Sequence, residues 1–190
     1  DIFILVKKYH YFYTTLLVVI FSFKCASLKP FDAGNIDLQY EKAMKLLDKK
    51  KYLRAQEEFN NLVIRGTHTD LGDDSQFYLA ESYFLNKEYL LAIAEYDRLI
   101  RRMGFSPYVE KARWRVCESY VKESPKYYKD QSNTSKALSK LQEFIDDYPN
   151  SEFKEEANGQ ILELRNKLAQ KEYATGILYI KMEEYPSAII

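Results

Sequence analysis

The chain has 190 residues, with 28 basic side chains against 28 acidic ones and no formal net charge. That balance gives no support to non-specific nucleic-acid binding, and a composition of 46% hydrophobic and 29% charged residues describes a folded body. Six Gly and five Pro argue against an all-β fold, and two Cys, Cys25 and Cys117, supply neither a disulfide framework nor metal-ligand spacing.

From the N-terminus, Lys7 and Lys8 precede an apolar run from Tyr9 to Phe23, followed by Cys25-Ala26-Ser27. A basic flank, a short apolar core and small residues after it describe an export signal over residues 1–24. The run is short against the roughly 20 apolar residues of a membrane span, though an uncleaved anchor is the other use of such a segment. Cys25 stands where a bacterial lipoprotein carries its lipidated cysteine. Lys24 departs from the small residue usual before it, and cleavage after Ser27, discarding Cys25, is the alternative. Residues 25–35 contain Lys29-Pro30 and Ala33-Gly34 without periodicity and read as a tether. The missing initial Met and an end inside the apolar run Tyr185–Ile190 read as a piece of a longer chain.

Residues 36–190 are expected to form an all-α array of helical hairpins, about three complete and a fourth begun. In the first, Asp37 caps a helix carrying Tyr40, Ala43, Leu46 and Leu47. Asp48-Lys49-Lys50-Lys51 makes the turn, and Tyr52, Ala55, Phe59 and Leu62 form the returning helix. Arg65 to Asp70 breaks the pattern. The second hairpin repeats the first with a shift of 37 residues: Ala43 maps to Ala80, Tyr52 to Tyr89, Ala55 to Ala92, Phe59 to Tyr96 and Leu62 to Leu99. Its turn is Asn86-Lys87-Glu88. Small residues mark close helix approach, and aromatics mark wide gaps. This is the pattern of tetratricopeptide (TPR) hairpins, whose basic unit is about 34 residues. One such hairpin cannot bury its own apolar face, so neighbours stack on it.

The third hairpin starts near Ser106-Pro107, and the same shift puts Cys117 at the small-residue position, as a buried structural thiol. An insertion, Glu123 to Thr134, precedes a returning helix with Ala137, Leu141, Phe144 and Ile145, which Pro149 ends. Asn150-Ser151 caps the next helix, and helical spacing runs from Glu152 to Met182 without Pro. Tyr185 and Ala188 repeat the spacing of Tyr52 with Ala55, so a fourth hairpin opens at about Lys171.

In this register Tyr40, Phe77, Trp114 and Tyr173 take one position in successive first helices. Met44, Glu81 and Glu118 form a second row, and Leu47, Phe84 and Val121 a third. First helices line the concave side of such arrays, so these rows are a candidate platform for an extended or helical peptide. The same rings serve equally as packing between repeats. Arg98, Arg101, Arg102, Lys111, Arg113 and Arg115 gather at the second-to-third repeat junction, either to meet carboxylates of a partner or as a solvated face offset by Asp97, Glu110 and Glu118. No phosphate loop or nucleophile motif appears, and His10 and His68 fall in the export segment and a turn. No catalytic, metal or cofactor site is expected, and no enzymatic activity.

Individual repeat positions are unspecific, but three stretches carry a resemblance: Tyr89-Leu90-Leu91-Ala92-Ile93-Ala94-Glu95-Tyr96-Asp97-Arg98-Leu99-Ile100, Phe144-Ile145-Asp146-Asp147-Tyr148-Pro149-Asn150-Ser151, and Leu164 to Tyr173. The insertion and the long Glu152–Met182 helix are its more specific parts. With them the chain, from about Ile36 onward, resembles the BamD (YfiO) family of outer-membrane assembly lipoproteins. The insertion with Asp130-Gln131 and Thr134 is similar to that family too. The resemblance implies five TPR hairpins, a lipid on Cys25 seated in the outer membrane, and a periplasmic body. It further implies binding to the barrel-forming subunit BamA and other Bam lipoproteins, with N-terminal repeats that receive unfolded outer-membrane proteins. The family's BamA contacts lie largely in C-terminal repeats, so no BamA-contact residue is carried over. The competing reading is another periplasmic TPR adaptor of cell-envelope or cell-division coordination. Those tend to carry an N-terminal coiled coil, and no sustained heptad run precedes Ile36.

Overall fold

The computed structural model describes residues 36–66 and 69–189. The export segment 1–24, the tether 25–35 with Cys25, and His68 lie outside the described residues. Those described form seven α-helices and no strand, an all-α TPR-like array. They are α1 (Ile36–Asp48), α2 (Tyr52–Gly66), α3 (Gly72–Leu85), α4 (Tyr89–Arg102), α5 (Val109–Glu123), α6 (Ser132–Asp147) and α7 (Lys154–Lys181), followed by a 3-10 turn, Tyr185–Ala188. Each helix packs on its neighbours in sequence, from α1 on α2 through to α6 on α7.

The packing follows from residue size. Ala43, Ala55, Ala80, Ala92, Ala112, Ala137 and Ala157 have no exposed surface, so helix backbones approach closely at these points. The wider gaps are filled by Phe59 and Leu62, Tyr96 and Leu99, and Leu141 and Phe144, spaced three apart on α2, α4 and α6 and all buried. Each such side chain stabilises by roughly 1.5–3 kcal/mol relative to exposure. Polar ties act between and within hairpins. Gln56 of α2 donates to Glu88 in the turn of the second hairpin (2.6 Å), and Gln76 of α3 joins the two helices of that hairpin by donating to the carboxylate of Glu95 on α4 (2.8 Å).

Three turns are built alike. Lys50, Lys87 and Glu183 all have left-handed backbone, with φ of 56°, 65° and 62°. Each stands two residues before a Tyr that opens the next helical segment. In each, the following amide reaches back five residues: Lys51 to Leu46, Glu88 to Tyr83 and Glu184 to Tyr179. This is the Schellman ending, which favours Gly at the left-handed position because a Cβ is strained there. Lys50→Gly and Lys87→Gly are each expected to stabilise by about 0.5–1 kcal/mol, raising Tm by roughly 1–4 °C for a body of this size. Melts in which both variants fall below wild type would show that these turns carry no such strain.

Helix starts differ from expectation by small amounts. Asp37 lies in the first turn of α1, where its charge still favours the helix dipole. The Ser106 and Ser151 hydroxyls accept amides two residues on, from Tyr108 and Phe153, one turn ahead of α5 and α7. The larger difference is at Lys171, where α7 runs on unbroken and turns only after Lys181. Its first half packs Ala157, Ile161 and Leu164 into the third hairpin's core, and its second half leads into the Tyr185–Ala188 turn. The fourth hairpin's first helix is thus fused to the helix before it: no Gly or Pro falls in 164–175, and the cap-type residues Asn166 and Thr175 stay inside the helix, with the Thr175 hydroxyl donating back to the Lys171 carbonyl.

The insertion of the third hairpin is an ordered loop. Gln131, 7% exposed, donates to the carbonyls of Lys126, Tyr127 and Lys129 and accepts from the Thr134 hydroxyl (2.7 Å). Lys167 of α7 donates to Ser124 across the base of the loop (2.8 Å). Gln131→Leu keeps the volume and strands these partners, so a loss of about 1–3 kcal/mol is expected. Faster amide exchange confined to 124–131 would check it; unchanged protection there would refute the role.

Candidate partner-binding groove

The first-helix rows do not stand equally open. Phe77 (1% exposed) and Trp114 (3%) are buried, and each is covered by a ring from the segment leading into the next first helix. Tyr108 stacks on Phe77 with centroids 4.5 Å apart, and Phe153 stacks on Trp114 at 5.3 Å. Lys111 lies 5.3 Å over Phe77, and Phe144 closes on Trp114 from α6 at 5.6 Å. In this arrangement both rings fill the joints between repeats.

Tyr40 is half-buried, edge-on to Phe59 (6.1 Å) and Tyr78 (6.2 Å). The hydroxyl of Tyr108 donates to Asp74 (2.7 Å), and Tyr40 faces the same carboxylate. Burial first, then Asp74, raises both phenols far above their ordinary range, so they stay protonated donors. Tyr173 is 72% exposed on the free half of α7, with no ring partner among the described residues. It keeps the hairpin register, three residues before Gly176, but stands apart from the joint formed by Trp114.

The structure brings Glu81, Phe84 and Glu118 together around Arg115. Its guanidinium spans both oxygens of Glu81 (2.7 and 3.2 Å), donates to Glu118 (2.8 Å) and lies 4.6 Å over the Phe84 ring. The Tyr96 hydroxyl donates to the same Glu81 oxygen at 2.5 Å. Burial raises the Glu118 carboxyl against the opposing pull of Arg115. Arg98 pairs with Glu95 and Arg113 with Asp147, so much of the arginine cluster is internally neutralised. Cys117 is buried, donates to the Lys140 carbonyl (3.2 Å), and has its thiol pushed up to about 12 by burial, which makes it an inert packing group.

Met44 and Leu47 on α1, Phe84 on α3 and Val121 on α5 are half-buried, and of these Phe84 lies against Arg115. The family model described as YfiO, outer membrane lipoprotein, matches residues 33–190 of this array. The chain belongs to the YfiO family. Among curated relatives of the YfiO chain is the outer membrane protein assembly factor BamD of Caulobacter vibrioides, 25% identical over 159 residues, covering 84% of this chain and 52% of that protein. The BamD of Rickettsia prowazekii is 25% identical over 157 residues, covering 79% and 60%. That of Helicobacter pylori is 27% identical over 100 residues, covering 53% and 46%. The chain thus spans about half the length of these relatives. Among the described residues of this YfiO-family chain, no helix is long and apolar enough to cross a membrane.

Proposed function

We propose that the chain is a non-catalytic scaffold of outer-membrane β-barrel assembly. It is held at the periplasmic face of the outer membrane by a lipid on Cys25 and works beside a BamA-like subunit and other Bam lipoproteins. The observation that carries this reading is the family match over residues 33–190, supported by relatives named as outer membrane protein assembly factors. Unfolded barrel segments alternate apolar and polar side chains. A floor with separated half-exposed apolar points, Met44, Leu47, Phe84 and Val121, and with Arg115 against Phe84, suits such a strand or a short helix.

Met44→Asp combined with Val121→Asp places charges on that floor at half-buried positions, without opening the core. Binding of an unfolded outer-membrane-protein segment is expected to weaken at least about tenfold, the loss of one or two anchoring contacts, while far-UV circular dichroism stays unchanged. Equal affinity in variant and wild type would end the groove reading. Mass spectrometry of the mature N-terminus tests the anchor separately: a diacylglyceryl group on Cys25 supports it, and a free Leu28 terminus refutes it.

A further inference from the structure

Antiparallel hairpins sort their connections to two edges. The segments between hairpins, after α2, α4 and α6, lie on one edge, and Ile36 opens α1 at that same edge. On it, Phe105 is completely exposed, 107% of the reference area. The backbone carrying it is pinned. Ser106 donates to Asp73 of α3 (2.7 Å), Tyr108 donates to Asp74 (2.7 Å), and the Ser106 amide bonds to the Met103 carbonyl (2.9 Å). Fixed on both sides, the loop holds its one large apolar side chain in solvent. Beside it the last turn of α4 presents Arg101 and Arg102, and further along the same edge the last turn of α2 presents exposed Ile64 and Arg65. The acidic groups on this patch are Asp73, engaged with Ser106; Asp74, engaged with Tyr108; Asp97, 3.9 Å from Arg101; and exposed Asp70. Arg102 has no ion-pair partner among the described residues. At the third connection the edge turns acidic, with Asp146, Asp147 and Glu152, so the basic-apolar patch is confined to the first two.

We infer that this edge is a membrane-contact surface, with Phe105 entering the interface of an anionic phospholipid layer and Arg101 and Arg102 binding its phosphates. An aromatic knob flanked by guanidiniums matches the boundary, where a ring buries about 5–10 Å deep and cations meet headgroups. Helix-dipole compensation accounts for arginines in a last turn, but it leaves the pinned, wholly exposed ring unexplained. The inference rests on the membrane attachment proposed above. From Cys25 the chain reaches Ile36 in 11 residues, at most about 40 Å, so such an anchor would draw this edge towards the bilayer.

The test uses the full chain carrying Phe105→Trp, with wild type, whose Trp114 is buried, as the background. Vesicles of phosphatidylethanolamine and phosphatidylglycerol, brominated in the acyl chains, are compared with brominated phosphatidylcholine alone. The introduced indole reports only on position 105, so vesicle binding through any other segment, or loss of the lipid on Cys25, leaves a separate signal in sedimentation or mass. The expected result is blue-shifted emission quenched by the anionic vesicles and not by the neutral ones. Adding Arg101→Gln and Arg102→Gln should lower the inserted-to-free ratio roughly twenty-five-fold, at about fivefold per basic residue. An indole that stays water-exposed while the chain sediments with anionic vesicles overturns the inference, as does equal quenching by both lipids. A blue shift that grows with protein concentration without lipid assigns the loop to a second copy and overturns it too.

Discussion

Trp114→Ala is expected to cost about 3–5 kcal/mol, the range for truncating a well-packed core aromatic. For a body of this size that lowers Tm by roughly 6–20 °C. The ring is 3% exposed, lies parallel to Phe153 (6° between planes) and meets Phe144 at 5.6 Å. Removing it opens the joint between the third hairpin and α7. Hairpins couple only to their neighbours, so the damage should be local. Hydrogen exchange should show α6 and the first half of α7 opening early while α1 and α2 keep their protection. Tyr173→Ala, at the same register on the free half of α7, should change stability by less than about 0.5 kcal/mol. A Trp114→Ala protein that melts with wild type and loses only peptide affinity would mean that this ring belongs to the groove instead of the joint.

The contrast between these two residues shows what the sequence makes legible. The 37-residue shift that pairs Tyr40 with Phe77 and Trp114 also locates the helices, their turns and the small-residue contacts, because backbone approach depends on side-chain size and period alone. The same shift is silent on what covers a ring. That depends on how the connecting segment folds back, and although Tyr108 and Phe153 each end a six-residue connection, the insertion sets Phe153 45 residues after Tyr108, out of the 37-residue shift. The long helix was legible in the unbroken spacing from Glu152 to Met182, but the point within it where the fourth hairpin begins was not. Apolar spacing continues identically through one long helix or two short ones, and the cap-type residues Asn166 and Thr175 do not interrupt it. Glu81, Phe84 and Glu118 were legible as neighbours along a groove, but Arg115, which joins them, read as one of six clustered cations. Its distinction is a long reach to Glu81, 34 residues away, which no local pattern encodes.

Arg115→Ala is the second large effect. It leaves the Glu81 carboxylate 9% exposed and the Glu118 carboxylate 15% exposed without their cation. Breaking a buried pair by deleting one partner costs about 3–5 kcal/mol. Since the Arg115 side chain is itself 23% exposed, solvent screens part of this, and about 2–4 kcal/mol is expected. The pH dependence identifies the cause. Burial already raises Glu118, and Arg115 is the principal opposing influence, so deleting the guanidinium raises this carboxyl further. A carboxyl raised in the folded state contributes stability below its unfolded range and loses it as pH climbs through its folded value. The deficit of Arg115→Ala should therefore be widest at neutral pH and narrow towards about pH 5. Glu81→Gln and Glu118→Gln with Arg115→Met supply the control: the amide oxygen at position 81 still accepts from Tyr96, neither carboxylate is left without its cation, and most of the stability should return. A deficit independent of pH, or a triple variant no better than Arg115→Ala, would assign the loss to packing over Phe84. If instead the charges carry it, Arg115 holds α3 against α5 by fixed hydrogen-bond directions, and the approach of these two helices is set by this lattice.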